Sequence, residues 1–454
     1  MCPTSCVWQP RDRDMRLRLC STALALSLAS ALAALPRTAG AADLLDAYRL
    51  ARQADPVLAA AAAARRGADA GVAQARAPLL PQAAAGLALN QSNDGADTDG
   101  RSRSRELSAN LSQVIYDGNL RAQLGVAQAQ AEAQSATLRA AEQALCVRVA
   151  SAYFDVLSAS DTLANLAAVE DAYRRQADQA EQRYRNGLSA LVDVDQARAY
   201  HANAQARTIA ARSALADARE ALTELTGTPV GALKALRAEL PFAPPQPADP
   251  QTWVDRALAQ NPSLLAQQRS VAAAERSIDA ARAGHLPTLT ASAGVGRASQ
   301  WPASTSSDAN NGRTATSVGL LFSVPLFSGG GVDARARLAY AQRDGAQDAY
   351  EQRRRALARE TLAQYRNVLA GIGQIEVGRT AVDAARKAFE ATSVGLSLGT
   401  QTMTDLLLAI QTLSGAQDAL SQARHRYVLN RLQLQLAAGE IAEPDLAAVN
   451  ALLE

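Results

Sequence analysis

Three histidines, one interior cysteine, a triple glycine and a triple arginine are the residues of this chain whose types could do chemistry. His201, His285 and His425 stand far apart, without the short spacings that bring imidazoles to one metal ion. Cys2, Cys6 and Cys20 lie at the N-terminus and Cys146 stands alone beyond them, so neither a zinc pattern nor an intrachain disulfide is expected there. Gly329-Gly330-Gly331 follows an alternating stretch and opens a helical one, as a phosphate loop does, but it lacks the Lys-Ser/Thr pair that such a loop requires. No Ser/His/Asp arrangement for nucleophilic attack is visible. Arg353-Arg354-Arg355 reads as a solvated helix face, and 46 basic against 44 acidic residues leave no footprint for nucleic acid. These residues predict no enzyme, no cofactor and no metal. What the chain does must follow from its shape.

The elements that set this shape begin with an export signal. Arg16 and Arg18 form a basic start, residues 19–35 are apolar, and Ala39-Gly40-Ala41 offers small residues at a cleavage site. The apolar run is short and meets Pro36 and Arg37 at once, which favours cleavage after Ala41 over a membrane anchor. Residues 1–14 resemble no part of a signal, so Met1 and Met15 both stand as starts. No later segment holds about 18 continuous apolar residues, the length a spanning helix needs. Aromatics make up only 4% of the chain while alanine abounds, which suits long, closely packed helices better than a large globular core.

The chain is written twice. Asp55-Pro56 recurs as Asn261-Pro262 and Leu80-Pro81 as Leu286-Pro287, both 206 residues on. Ile115-Tyr116-Asp117-Gly118 recurs as Leu326-Phe327-Ser328-Gly329 after 211 residues, and Tyr153 recurs as Tyr365 after 212. Gly187 and Asp193 recur as Gly399 and Asp405. The reading divides the chain into an N-terminal extension with signal (residues 1–41), a first repeat (42–240), a proline-rich linker (241–250) and a second repeat (251–454). Segments 227–240 and 440–454 read as irregular additions.

Each repeat has one order: a helix, two strands around a polar loop, then two long helices. The first helix spans 56–77. Strands are predicted at 82–90, 106–115, 288–296 and 316–326, where apolar and polar residues alternate, and the loops at 91–104 and 297–314. Ten alternating residues also suffice to cross a bilayer when tilted. Long helices are predicted at 118–185, 190–226, 330–397 and 402–438, with a heptad seam through Leu406, Leu413, Leu420, Tyr427 and Leu434. Pro81, Gly118, Pro287 and Gly329 mark the strand–helix transitions, and Gly187 and Gly399 the turns between long helices. A helix of 67 residues is roughly 100 Å long, so the expected object is a rod.

Four apolar-faced strands leave two free edges, which are prohibitive in a bilayer unless other chains pair with them. The fold class expected is mainly α with β: four transmembrane strands per chain in an oligomeric barrel, continued by a long helical coiled-coil barrel. This organisation resembles the TolC family of outer-membrane efflux and secretion channels. Ala77-Pro78-Leu79-Leu80-Pro81, Gln113-Val114-Ile115-Tyr116-Asp117, Tyr184-Arg185-Asn186-Gly187 and Val324-Pro325-Leu326-Phe327-Ser328-Gly329-Gly330 carry the resemblance, in this order. It implies a homotrimer with a 12-stranded barrel in outer-membrane lipid, a periplasmic adaptor (membrane fusion) protein and an inner-membrane ABC or RND transporter as partners. It also implies a periplasmic gate, where a tyrosine and an arginine reach an aspartate. Asp193 matches that aspartate, but Leu396 stands at the tyrosine position and Gln401 at the arginine position. Of two acids that ring the entrance, Asp405 matches the first and Leu408 replaces the second. Asp193 and Asp405 also suit the first turn of a helix, where the dipole favours an acid. Gln401 is expected to donate to Asp193 as an auxiliary tether. The alternative reading is a periplasmic coiled-coil adaptor, which the strand pairs and the twofold repeat disfavour.

Overall fold

The computed structural model describes residues 43–93, 101–239, 241–301 and 312–454. The expected signal and its cleavage site lie outside the described residues, as do the tips of both polar loops.

The first repeat opens with two helices rather than one, α1 (Leu44–Ala54) and α2 (Pro56–Arg76). Proline brings no backbone N–H to position 56, and the Asp55 carboxylate instead caps the new helix by accepting from the Leu58 N–H. The same break separates α5 (Pro250–Gln260) from α6 (Pro262–Arg282), with Asn261 as the cap. The 11- and 21-residue lengths of α1 and α2 recur in α5 and α6. α3 (Gly118–Arg185) and α4 (Leu191–Thr226) are matched by α7 (Gly331–Ser397) and α8 (Met403–Ala438).

Strands β1 (Gln82–Asn93), β2 (Arg101–Asp117), β3 (Thr288–Trp301) and β4 (Thr314–Ser323) form one antiparallel sheet in chain order. The first three run further into the loops than alternation of apolar residues predicts, because polar residues such as Arg103 and Gln91 continue the pairing. β4 stops at Ser323 instead of residue 326, since Pro325 has no N–H to give the ladder. Paired residues share a face. Ala85, Ala109, Val295 and Thr316 therefore lie together, with Leu87, Leu107, Leu111, Val318, Leu320 and Phe322 on the same side. Ser108, Asn110, Ser112, Ser292, Gly294 and Ser317 occupy the other. The apolar side is bare in the single chain: Val318 is 89% exposed and Leu320 71%. β1 and β4 each keep one unpaired edge.

α3 runs unbroken for 68 residues. Near the sheet it lies against α2 and α6, and farther down against α4 and α8. One long helix thus stands beside pairs of stacked shorter ones. The principal core sits at mid-length, where Leu145, Val149, Tyr153, Phe154, Tyr365, Val368, Ile375, Tyr427 and Leu432 interlock. Three of its tyrosines hold the connecting segments to the rod: Tyr153 donates to the Lys234 carbonyl (2.9 Å), Tyr427 to that of Ala243 (3.0 Å), and Tyr365 to that of Ala248.

Segment 440–454 is not irregular throughout. It forms α9 (Glu443–Asn450), which returns to α1: the Leu44 N–H donates to the Asn450 side chain at 3.0 Å. Beyond it, Leu453 pairs with Leu236 as an antiparallel bridge, and Glu454 exchanges backbone hydrogen bonds with Ala235 at 2.9 and 3.0 Å.

Candidate functional site

The expected gate residues cluster at the end of the rod opposite the sheet, where each pair of long helices turns. The chain reverses at Gly187 (φ +74°) and Gly399 (φ +75°), in the left-handed region where a Cβ is strained. Both glycines are preceded by a helix that closes on itself, with Gly187 donating to the Tyr184 carbonyl and Gly399 to that of Leu396. At the other end, Gly118 lies where α3 crosses the 283–287 turn, and a Cβ there would come within 2.7 Å of the Leu286 side chain. Pro81 and Pro287 each follow a 3-10 turn and precede a strand, while Gly329 lies just ahead of α7.

A second apolar cluster stiffens the turn end. Tyr173, Ala177 and Ala180 of α3, Val194 and Ala197 of α4, and Met403, Leu406, Leu407 and Ile410 of α8 pack together. Leu396 is half-buried against this cluster. The residue at the tyrosine position thus contributes packing to its own protomer and offers no polar tether.

Asp193 lies in the first turn of α4 and accepts a 2.6 Å hydrogen bond from the Ser189 hydroxyl, one turn back across the α4 start. Among the described residues it has no bond to Gln401. The expected tether is not formed within the protomer, because the aliphatic part of Gln401 covers Gly395 in its own turn and its backbone N–H donates to the Gly395 carbonyl at 3.2 Å. Asp405 is exposed and forms a reciprocal cap with Thr402. Its carboxylate accepts from the Thr402 N–H (3.0 Å) and hydroxyl (2.6 Å), while its own N–H donates to that hydroxyl (3.2 Å). The Thr402 hydroxyl and N–H hold the Asp405 carboxyl below its ordinary pKa, so it stays ionised well into acid. Leu408 is 47% exposed and adds no charge beside it.

Two contacts that sequence reasoning did not find join the repeats here. The Tyr173 hydroxyl donates to the Leu407 carbonyl, buried, at 3.1 Å, and the Thr404 hydroxyl to the Gln196 side chain at 3.0 Å. Gln196 is one turn from Asp193 and Thr404 is next to Asp405, so this contact places both acids at one end of the joined hairpins. The Thr-x-x-Asp spacing of Thr402 and Asp405 was the legible signal for the cap. Inter-helix contacts such as Tyr173 to Leu407 have none, because they link residues 234 apart.

The fold is shared with solved channels. The structure of the outer membrane protein VceC from Vibrio cholerae superposes with a TM-score of 0.75 at 23% identity, covering 87% of this chain and 96% of that one. CusC gives a TM-score of 0.77 at 19% identity, covering 89% and 95%. In sequence, this chain is 34% identical to the outer membrane protein TolC of Escherichia coli strain K12, over 90% of this chain and 85% of TolC. It is 30% identical to the alkaline protease secretion protein AprF of Pseudomonas aeruginosa, over 90% and 87%. The profile of the outer membrane efflux protein family matches residues 47–228 and 253–440, both repeats nearly whole. The chain belongs to the outer membrane efflux protein family and is an outer-membrane channel protein of the TolC type, for secretion or efflux.

Proposed function

We propose that three copies of this chain form a passive conduit across the outer membrane, closed at its periplasmic end by the helix turns around Asp193 and Asp405. The observation that carries this reading is the sheet, with one apolar face, one polar face and two unpaired edges. Inside lipid an unpaired strand edge has no water to satisfy it, so the edges must close on neighbouring copies. Two copies would give eight strands, whose interior fills with side chains, while three give twelve and leave a lumen. Small residues on the polar face, such as Gly294 and Ser292, keep that lumen open. The long helices then carry the tube into the periplasm for about 100 Å.

A conduit makes and breaks no bond, so the driving force must come from partners. A periplasmic adaptor (membrane fusion) protein and an inner-membrane ABC or RND transporter fit that need. Relatives named for secretion of alkaline protease and for cobalt-zinc-cadmium resistance support both protein and small-solute export as cargo classes. At the turn end, the ionised Asp405 carboxylates of three copies would form a ring that attracts cations and repels anions.

Native mass spectrometry of detergent-extracted outer membranes should report a trimer. In intact cells, an impermeant thiol reagent should label Ser92→Cys and spare Leu188→Cys. A stable soluble monomer, or the opposite labelling pattern, would refute the barrel or its orientation respectively.

A further inference from the structure

The apolar face of the sheet ends in arginine. On β3 the face runs Leu289, Ala291, Ala293, Val295 and then Arg297, about 26 Å along the strand at the usual rise. Tilted as barrel strands are, that stretch rises roughly 20 Å along the bilayer normal, most of the roughly 25 Å apolar band of outer-membrane barrels. Pairing places Arg297 beside Leu107, Arg105 beside Ser299, and Arg103 beside Trp301, all on the lipid-facing side. The three guanidinium groups therefore stand at the outer rim of the band. All three side chains are exposed. Trp301 is 51% exposed, and the Arg105 guanidinium lies 5.8 Å from its ring centroid.

No carboxylate among the described residues answers them. Among the described residues of this face there is no acid, since Glu106, the acid within this part of β2, points to the polar side. Arg103 donates to the Gln91 side chain at 3.3 Å, which orients it without neutralising it. Like charges packed on a lipid-facing surface are costly unless an anion of the membrane sits among them. Guanidinium groups hold phosphate oxygens through paired N–H donors, and diagonal neighbours on adjacent strands stand about 7–8 Å apart. The tryptophan ring suits the headgroup level, apolar on its faces with one polar N–H.

We infer that Arg103, Arg105 and Arg297, with Trp301, form a docking site for the phosphorylated headgroup of an outer-leaflet glycolipid. The charge of the patch and its continuity with the lipid-facing band both select a lipid phosphate over a soluble one. The inference rests on the barrel and the orientation proposed above.

The test uses trimers of the full chain in neutral detergent, titrated with diphosphoryl lipid A or with the same lipid stripped of both phosphates. Native mass spectrometry reads the trimer and the bound lipid in one spectrum. The wild-type trimer should retain the diphosphoryl form at a roughly tenfold lower concentration than the stripped form. The double change Arg105→Gln with Arg297→Gln should abolish that difference. Replacing Arg354 and Arg355 by Gln, which removes as many charges from the helical region, should leave it intact. Equal retention of the two lipids by the wild-type trimer would overturn the site without need of any variant, as would undiminished retention by the double variant. Absence of a wild-type trimer would instead overturn the barrel itself, so the two failures are distinguishable.

Discussion

The Tyr173 hydroxyl, in the first repeat, donates a buried 3.1 Å hydrogen bond to the backbone carbonyl of Leu407, in the second. The two helical hairpins of the protomer are latched there, just above their turns. That carbonyl lies within α8 and keeps its intrahelical partner when the tyrosine is lost.

Tyr173→Phe should therefore cost about 1 kcal/mol, the net worth of one neutral hydrogen bond, with the ring still packed. If the latch belongs to the closed state, resting conductance in planar bilayers should rise roughly fivefold. Unchanged conductance would make Tyr173 a packing residue alone.

The Asp405 carboxylate has two roles that can be separated. Asp405→Asn keeps an acceptor for the Thr402 N–H and removes the charge, whereas Asp405→Ala removes both. If the carboxylates ring the entrance, both variants should shift the reversal potential in asymmetric salt toward lower cation preference, and by similar amounts. A shift in Asp405→Ala alone would leave Asp405 as a helix cap.

Asp55 is buried and held by Arg148, whose guanidinium reaches both carboxylate oxygens at 2.5 and 3.3 Å. Arg148→Met should destabilise the protein by about 3 kcal/mol, the low end for breaking a buried pair, because a third of the arginine side chain meets solvent. Adding Asp55→Asn should recover most of that loss. The second repeat already uses asparagine here, with Asn261 accepting from the Ser263 N–H and donating to the Ala437 carbonyl, both at 3.0 Å. Burial alone would raise the Asp55 pKa, but hydrogen bonds from Arg148 and from the Leu58 N–H outweigh it and lower it. The folded carboxyl is thus more acidic than the unfolded one. Its contribution is complete above the ordinary carboxylate value and is lost as pH falls through the depressed one. Melting curves from pH 7 to about 2 should show this loss, on the acid side of the ordinary carboxylate value, in the wild type and not in Asp55→Asn.

Neighbouring residues of β4 should respond oppositely to one substitution. Val318→Arg puts a charge on the apolar face near its middle, at a cost of about 2–4 kcal/mol. Ser317→Arg points to the polar face. The yield of trimer in isolated outer membranes should fall steeply for the first and little for the second. Equal losses would argue that both faces meet the same medium.

Much of this fold was legible because it is periodic. Leu406, Leu413, Leu420, Tyr427 and Leu434 repeat every seven residues, and the helix they belong to follows. Val318, Leu320 and Phe322 alternate, and β4 follows. The strand ends were hidden because Arg103, Arg105 and Gln91 extend the hairpins with polar side chains, which read as loop. α1 was missed because the reading began at the proline that starts its successor. The turn end was legible only in part. The family resemblance implied that Asp193, Leu396, Gln401 and Asp405 stand together but carried no information on competition between donors. Ser189 lies four residues from Asp193 and holds it, while Gln401 folds over Gly395.

The contact of Leu44 with Asn450, and of Ala235 with Glu454, has a consequence for the order of assembly. A chain exported from its N-terminus delivers Leu44 early and Asn450 406 residues later. The coiled hairpin of α3 and α4 needs only local partners and is free to form while the rest is still crossing the inner membrane. The connecting segment 235–237 at mid-length is not, because its backbone partners are residues 452–454. Closing so long a loop adds little thermodynamic cost, since that cost grows only as the logarithm of length, but it fixes a sequence in time. Until those residues arrive, the rod is unfinished at its waist, and the strand pairs at its end await both one another and the neighbouring copies. Maturation of the subunit thereby waits on the arrival of residues 450–454.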